Sequence, residues 1–332
     1  MLFTKILKYK FVVELLYILL ETNTLSYYIL LLTSSFAIIW IFHKVFLKKR
    51  IYDEINNRSS HNVIATRSGG ISVFLTLFIF SCLSYFFNNE IYDFSFLVPL
   101  SLLVAVGLYD DIYKLDFKLK FIFQIIAAKI IIDSGLIIEN LHGFMGIYEI
   151  GRVFGHLLTI FIIVSIVNSI NFIDGIDGLA LSVIIVFISA FEFFSMNQTQ
   201  LINLSTILII SALPMFYFNF RKNKKVFLGD SGSLFLGGVV SIYVIYSLGN
   251  SYIIKEDYDL HKILFILSIL VYPIVDLIRV FFLRIKMGRS PFMADNNHLH
   301  HLLLKKTNNH LLTTVIILLT SLFFLATMQL LF

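Results

Sequence analysis

A single cysteine, Cys82, occurs in 332 residues, which excludes a disulfide framework or a cysteine-based metal site. It lies in the run ISVFLTLFIFSCLSYFF and is read as a packed or lipid-facing thiol. Charge is equally scarce: Asp, Glu, Lys and Arg make up 14% of the chain, against about 25% in ordinary soluble domains. Only four prolines are present, and no stretch has the composition of a linker or a soluble domain. Neither a Walker A sequence nor a dinucleotide fingerprint occurs, and no nucleic-acid partner is expected. What is abundant is apolar: 58% hydrophobic residues, including 35 Phe. That balance points to an integral membrane protein.

A membrane span needs about 20 mostly apolar residues. Ten segments meet this, at 27–47, 71–87, 94–109, 118–134, 153–170, 178–195, 201–219, 234–249, 262–283 and 311–331. The expected fold is therefore all-α, a single polytopic membrane domain over 1–332 with ten transmembrane helices. Residues 11–20 are a weaker segment carrying Glu14, read as an interfacial helix or an eleventh span. Lys5, Lys8 and Lys10 ahead of it have the outline of a signal peptide, but Glu21, Thr22 and Asn23 replace small cleavage-site residues, so the segment is read as retained. The loops after odd-numbered spans hold 17 Lys and Arg, and the opposite loops hold 3. By the positive-inside rule the first set faces the cytoplasm.

The unusual polar clusters fall in that same set of loops. They are Arg67-Ser68-Gly69-Gly70, Asp110-Asp111, the stretch Asn168–Gly178, Gly229-Asp230-Ser231-Gly232-Ser233, and the segment 295–301 with His298, His300 and His301. A transporter would place ionisable residues near the bilayer midplane. Loops gathered on one face suit a reaction between a soluble donor and a lipid.

Asp110 and Asp111 end a helix, where acids oppose the macrodipole. A solvated helix end is the bland explanation; Mg²⁺ held by carboxylates and substrate phosphates is the functional one. Asn168–Gly178 carries two Asn, two Asp (Asp174 and Asp177) and two Gly in eleven residues, more than a turn requires. Its side-chain oxygens suit Mg²⁺ or hydroxyls, and its glycines let a diphosphate approach the backbone. Gly229–Ser233 precedes a span, so its N–H groups would form a helix N-terminal anion site, with a cation reconciling Asp230 to phosphate. Arg221, Lys222 and Lys224 read as topology signals. His298 and His301 share a helical face, but without cysteines or further ligands zinc is disfavoured. With Arg284, Lys286 and Arg289 they fit phosphate or uridine contacts better. Asp276 and Arg279, three apart in the ninth span, are read as a structural ion pair in preference to a catalytic one. Lys129 snorkels or pairs with a carboxylate.

These motifs, in this order, resemble the polyprenyl-phosphate N-acetylhexosamine-1-phosphate transferases. The similarity runs from His61 to His301, about three-quarters of the chain, and includes Gln124 in Leu119–Ala128, Asn168–Ala180 and Phe227–Ser233. Arg289-Ser290-Pro291-Phe292 followed by His298-Leu299-His300-His301 looks like the GlcNAc-1-phosphate branch. Two positions depart from it: Asn296 stands where Arg is usual, and Lys222-Asn223-Lys224 where small residues or proline are common.

The resemblance implies ten or eleven spans in a bacterial inner membrane and an active site facing the cytoplasm. It implies transfer of a sugar-1-phosphate, GlcNAc-1-phosphate first, from a UDP-sugar to polyprenyl (undecaprenyl) phosphate, releasing UMP and initiating a cell-envelope glycan. Mg²⁺, or Mn²⁺ in its place, would be the cofactor, with Asn171 and Asp230 as its ligands. Asp110, Asp111, Asp174 and Asp177 are the catalytic candidates; Arg67, Asn168, Lys225, His298, His300 and His301 are the substrate-binding ones. A homodimer stays open. The alternatives are another UDP-N-acetyl sugar as donor, a transporter or lipid flippase using Asp276 and Arg279, and a lipid-phosphate phosphatase with catalytic histidines.

Overall fold

The computed structural model describes residues 24–53, 64–86, 92–249, 252–255, 260–288, 290 and 297–331. Residues 11–20, Arg289 and Asn296 lie outside these. Twelve α-helices form the described fold: α1 (Thr24–Lys48), α2 (Gly69–Phe86), α3 (Leu97–Tyr113), α4 (Phe117–Asp133), α5 (Arg152–Ile173), α6 (Leu179–Phe194), α7 (Ile202–Asn219), α8 (Gly229–Ser247), α9 (Leu260–Ile269), α10 (Val271–Lys286), α11 (Leu299–Thr307) and α12 (His310–Leu331). Each of the ten apolar segments is helical, and the ninth is two helices. α9 and α10 meet at 73°. Pro273, in the first turn of α10, has no N–H for the Ile269 carbonyl and its ring crowds that group, which accounts for a break at Leu270.

Seven of these helices are long and apolar enough to cross a membrane, and the bent α9–α10 pair would make an eighth. α4 and α6 are 17 and 16 residues long, shorter than a full hydrocarbon core requires. The protein is thus a multi-pass membrane protein.

α8 is the axis of the bundle. Every residue from Ser231 to Ser247 is buried, with α2, α3, α5 and α6 packed around it. Lipid-facing helices gain nothing from Leu–Leu contact over Leu–lipid contact, so association relies on close backbone approach through small residues. A Cβ on Gly70 would come within 2.0 Å of the Gly232 nitrogen, and one on Gly107 within 2.3 Å of the Asp230 carbonyl oxygen. These contacts draw the starts of α2 and α8 and the end of α3 to one point.

Two small pairings supplement the helices. β1 (Ala65–Thr66) pairs parallel with β4 (Lys225–Val226), and the ladder continues as Gly69 and Gly70 N–H bonds to the Phe227 and Leu228 carbonyls at 3.0 and 2.8 Å. This places the Arg67 turn against the Gly229–Ser233 motif. An antiparallel hairpin, β2 (Asn140–Phe144) with β3 (Ile147–Glu149), leads into α5.

Candidate active site

Where these loops meet, a cavity of about 380 Å³ is lined by Asp110, Lys120, Gln124, Asn168, Asn171, Phe172, Asp174, Gly175, Asp230, Arg284, His298 and His301, among others. Seven of the residues expected from the sequence thus share one wall: Asp110, Asn168, Asn171, Asp174, Asp230, His298 and His301. Arg67, Asp111, Asp177, Lys225 and His300 do not line it.

The two adjacent aspartates have different surroundings. Asp111 is fully buried, and its oxygens accept the backbone N–H groups of Asp230 and Ser231 at 2.9 and 3.0 Å, with Arg67 3.6 Å away. An acid badly placed at the end of α3 is thus well placed at the start of α8, where the macrodipole favours it. The acceptor at this N-terminus is therefore the Asp111 carboxyl group, and the N–H groups expected to receive phosphate are already taken. Gly229, at φ +73°, makes room, since a Cβ there would lie 2.7 Å from the Asp111 carboxylate. Asp110 points into the cavity. Its oxygens accept from the Leu115 backbone N–H and from Lys120 Nζ, both at 2.6 Å.

Lys120 also reaches Asp230 at 2.8 Å, so one ammonium bridges two carboxylates. Sequence alone gives Lys120 only a place among the basic residues of the loop after α3. A local signal was present: Lys120 and Gln124 are i and i+4 on α4, hence on one face, and Gln124 exchanges hydrogen bonds with Asn168 at 2.6 and 3.4 Å. Asp230 accepts from the Asn171 amide at 2.8 Å, and that amide also donates to Ser233 Oγ at 2.7 Å. Burial, with the Asp230 and Asp111 carboxylates nearby, pushes the Asp174 carboxyl well above its usual range.

Asp177 is turned away from this wall. Its carboxylate is paired closely with Lys225, and its backbone N–H donates to His310 Nδ1 at 3.2 Å. Thr314 Oγ1 donates to its carbonyl at 3.2 Å. The group ties the α5–α6 turn to β4 and α12, and His310 carried no role in the sequence reading. Lys129 pairs with Asp133 one turn along α4.

The histidines also divide. His298 Nδ1 lies 2.8 Å from Asp276, its ring faces Phe172, and Arg284 Nη2 is 3.5 Å from its Nε2. His300 is buried behind the cavity with Nδ1 2.9 Å from Tyr272 Oη. Burial, with the adjacent His301 and His298, pushes its imidazole down to about 3, so the ring is neutral at physiological pH. Asp276 and Arg279 form the expected ion pair, at 3.0 Å.

Acidic, amide and cationic groups thus surround one cavity in an apolar bundle of membrane helices, and comparison with known proteins gives the class: a phosphosugar-transferring membrane enzyme. Residues 94–248 match glycosyl transferase family 4. A Bacillus subtilis protein described as a probable undecaprenyl-phosphate N-acetylglucosaminyl 1-phosphate transferase is 30% identical over 278 residues, 82% of this chain and 75% of that one. The undecaprenyl-phosphate alpha-N-acetylglucosaminyl 1-phosphate transferase of Yersinia pestis is 28% identical over 85% of this chain and 76% of its own length. The decaprenyl-phosphate N-acetylglucosaminephosphotransferase of Mycobacterium leprae is 30% identical over 73% and 67% respectively. The chain belongs to glycosyl transferase family 4.

Proposed function

We propose that this protein transfers GlcNAc-1-phosphate from UDP-GlcNAc to a polyprenyl phosphate such as undecaprenyl phosphate, releasing UMP. An oxygen of the acceptor phosphate bonds to the phosphorus bearing the sugar. The bond from that phosphorus to the bridging oxygen breaks, and its electrons leave with UMP. Such transfers depend mainly on positioning and charge neutralisation. The observation that carries the reading is the Asp110–Lys120–Asp230 chain beside Asn171 and Asp174 in one cavity. Lys120 and Arg284 supply positive charge toward a diphosphate, and Asp110 faces the acceptor.

The donor set suits a hard cation. Asp230 and Asn171, both lining the cavity, offer one carboxylate and one amide oxygen. That matches Mg²⁺, which binds through one or two carboxylates plus substrate phosphates. Bound there, Mg²⁺ would neutralise charge on the diphosphate and on departing UMP. Lys120 holds the two carboxylates together by the same electrostatic logic.

Purified protein given UDP-GlcNAc, undecaprenyl phosphate and Mg²⁺ should release UMP in an acceptor-dependent manner. Release of inorganic phosphate, or no UMP with any UDP-N-acetyl sugar, would count against the transferase. Faster turnover of a different UDP-sugar would replace the donor and keep the reaction class.

The 17-to-3 distribution of basic residues supports ten spans with the catalytic loops in the cytoplasm of a bacterial inner membrane. In a Cys82→Ala background, cysteines placed at Lys114, Lys224 and Lys305 should resist impermeant thiol reagents in intact cells and react after permeabilisation. Labelling of any of them from outside would reverse the orientation.

A further inference from the structure

A carboxylate inside an apolar helix is costly unless its lone pairs are satisfied. Asp276 is such a group: it is fully buried, in the second turn of α10 just past the 73° break. Its Oδ1 accepts from Arg279 at 3.0 Å and from the Leu299 backbone N–H at 2.9 Å, while Oδ2 lies 2.8 Å from His298 Nδ1. Arg279 also donates to the Asn297 carbonyl. The first residues of the histidine segment are therefore fastened to α10 from two sides.

A carboxylate can only accept, so His298 Nδ1 must carry a proton. With that proton on Nδ1, Nε2 is the ring nitrogen left to accept. His298 and Arg284 both line the cavity, and Nε2 lies 3.5 Å from Arg284 Nη2, on a side chain that only donates. The Phe172 ring, 5.4 Å from the imidazole and 5.7 Å from the Arg284 guanidinium, flanks both groups.

We propose that Asp276 is a positioning residue for the transfer reaction: by holding the Nδ1–H tautomer of His298 it presents Nε2 to the cavity as an acceptor beside Arg284. The role rests on the function proposed above. In Asp276→Asn the amide oxygen can still accept from Leu299, but its NH₂ group then faces Nδ1. The ring must take the other tautomer, and an Nε2–H would oppose the guanidinium of Arg284. A merely structural Asp276, acting only as the cap of α11 and the partner of Arg279, would not depend on His298 in this way.

The test is a set of UMP-release kinetics and thermal unfolding on wild type, Asp276→Asn, His298→Gln, the double variant and Arg279→Gln. Loss of a carboxylate that orients a metal-ligating histidine typically costs about 10–100-fold, and a loss of the same order is expected for one that orients His298. Asp276→Asn should lower kcat by that factor and change KM for the UDP-sugar less than about threefold. In the His298→Gln background the same change should cost less than about twofold, since its route of action is already gone. Arg279→Gln breaks the ion pair but leaves the carboxylate on His298, so it should lower Tm while kcat stays within about threefold of wild type. Additive losses in the double variant overturn the proposal, as does an Arg279→Gln variant that loses as much kcat as Asp276→Asn. If Asp276→Asn does not fold, His298→Gln decides: a kcat within about threefold of wild type there overturns the proposal. A folded wild type that releases no UMP overturns the transferase itself, and that outcome is visible before any variant is made.

Discussion

Replacing Asp230 by Asn should lower UMP release by roughly 10²–10⁴-fold, the equivalent of several kcal/mol of lost charge stabilisation. Its two oxygens take different partners, the Asn171 amide and Lys120 Nζ, both at 2.8 Å. The substitution preserves size and removes one negative charge from a wall where a hard cation and a diphosphate must coexist. Two causes of loss are separable by titration. If Asp230 is a Mg²⁺ ligand, the variant should need more Mg²⁺ and recover only a small part of its rate at saturation. Lys120→Met should also be slow, yet its Mg²⁺ optimum should stay near that of the wild type. An Asp230→Asn variant with an unmoved Mg²⁺ optimum would remove Asp230 from the metal site and leave it as the partner of Lys120.

Asp110→Asn should lose about 10²–10⁴-fold at pH 6, the range of a general base, and less at pH 9. The sign follows from the acceptor: a lipid phosphate with a second pKa of about 6 is half monoanionic at pH 6 and needs no base at pH 9. Geometry selects Asp110 over its neighbour, because Asp110 faces the cavity and Asp111 is spent on the N–H groups of Asp230 and Ser231. Asp111→Asn should therefore show a pH-independent loss together with destabilisation, since one buried N–H is left facing an NH₂ group, a cost of about 1–3 kcal/mol. Initial rates across pH and thermal unfolding of both variants check this. A pH-dependent loss confined to Asp111→Asn would exchange the two roles. Equal pH-independent losses would leave the pair an electrostatic role only.

Composition and hydropathy determined that this chain is a bundle of membrane helices, and each of the ten apolar segments is helical. The reason is general: in hydrocarbon a backbone must satisfy its own hydrogen bonds, so an apolar run of this length has few alternatives to a helix. The motifs also pointed to one candidate site, because Asn, Asp and Gly crowd at the ends of apolar helices beyond what a turn requires. Asp110, Asn168, Asn171, Asp174, Asp230, His298 and His301 accordingly share one cavity.

Only the tertiary structure decided which residues face it. Residues adjacent in sequence project about 100° apart around a helix, so Asp110 enters the cavity while Asp111 caps α8. Whether a helix N-terminus is free for phosphate depends on what another helix brings to it, and here α3 brings a carboxylate. The i, i+4 spacing puts Lys120 and Gln124 on one face of α4, but only the packing of α4 against α3 and α5 turns that face to the cavity. Asp276 and His298 are 22 positions apart. They meet because the start of α11 lies against α10, with the Leu299 N–H also on the Asp276 carboxylate, a long-range packing that no local pattern shows.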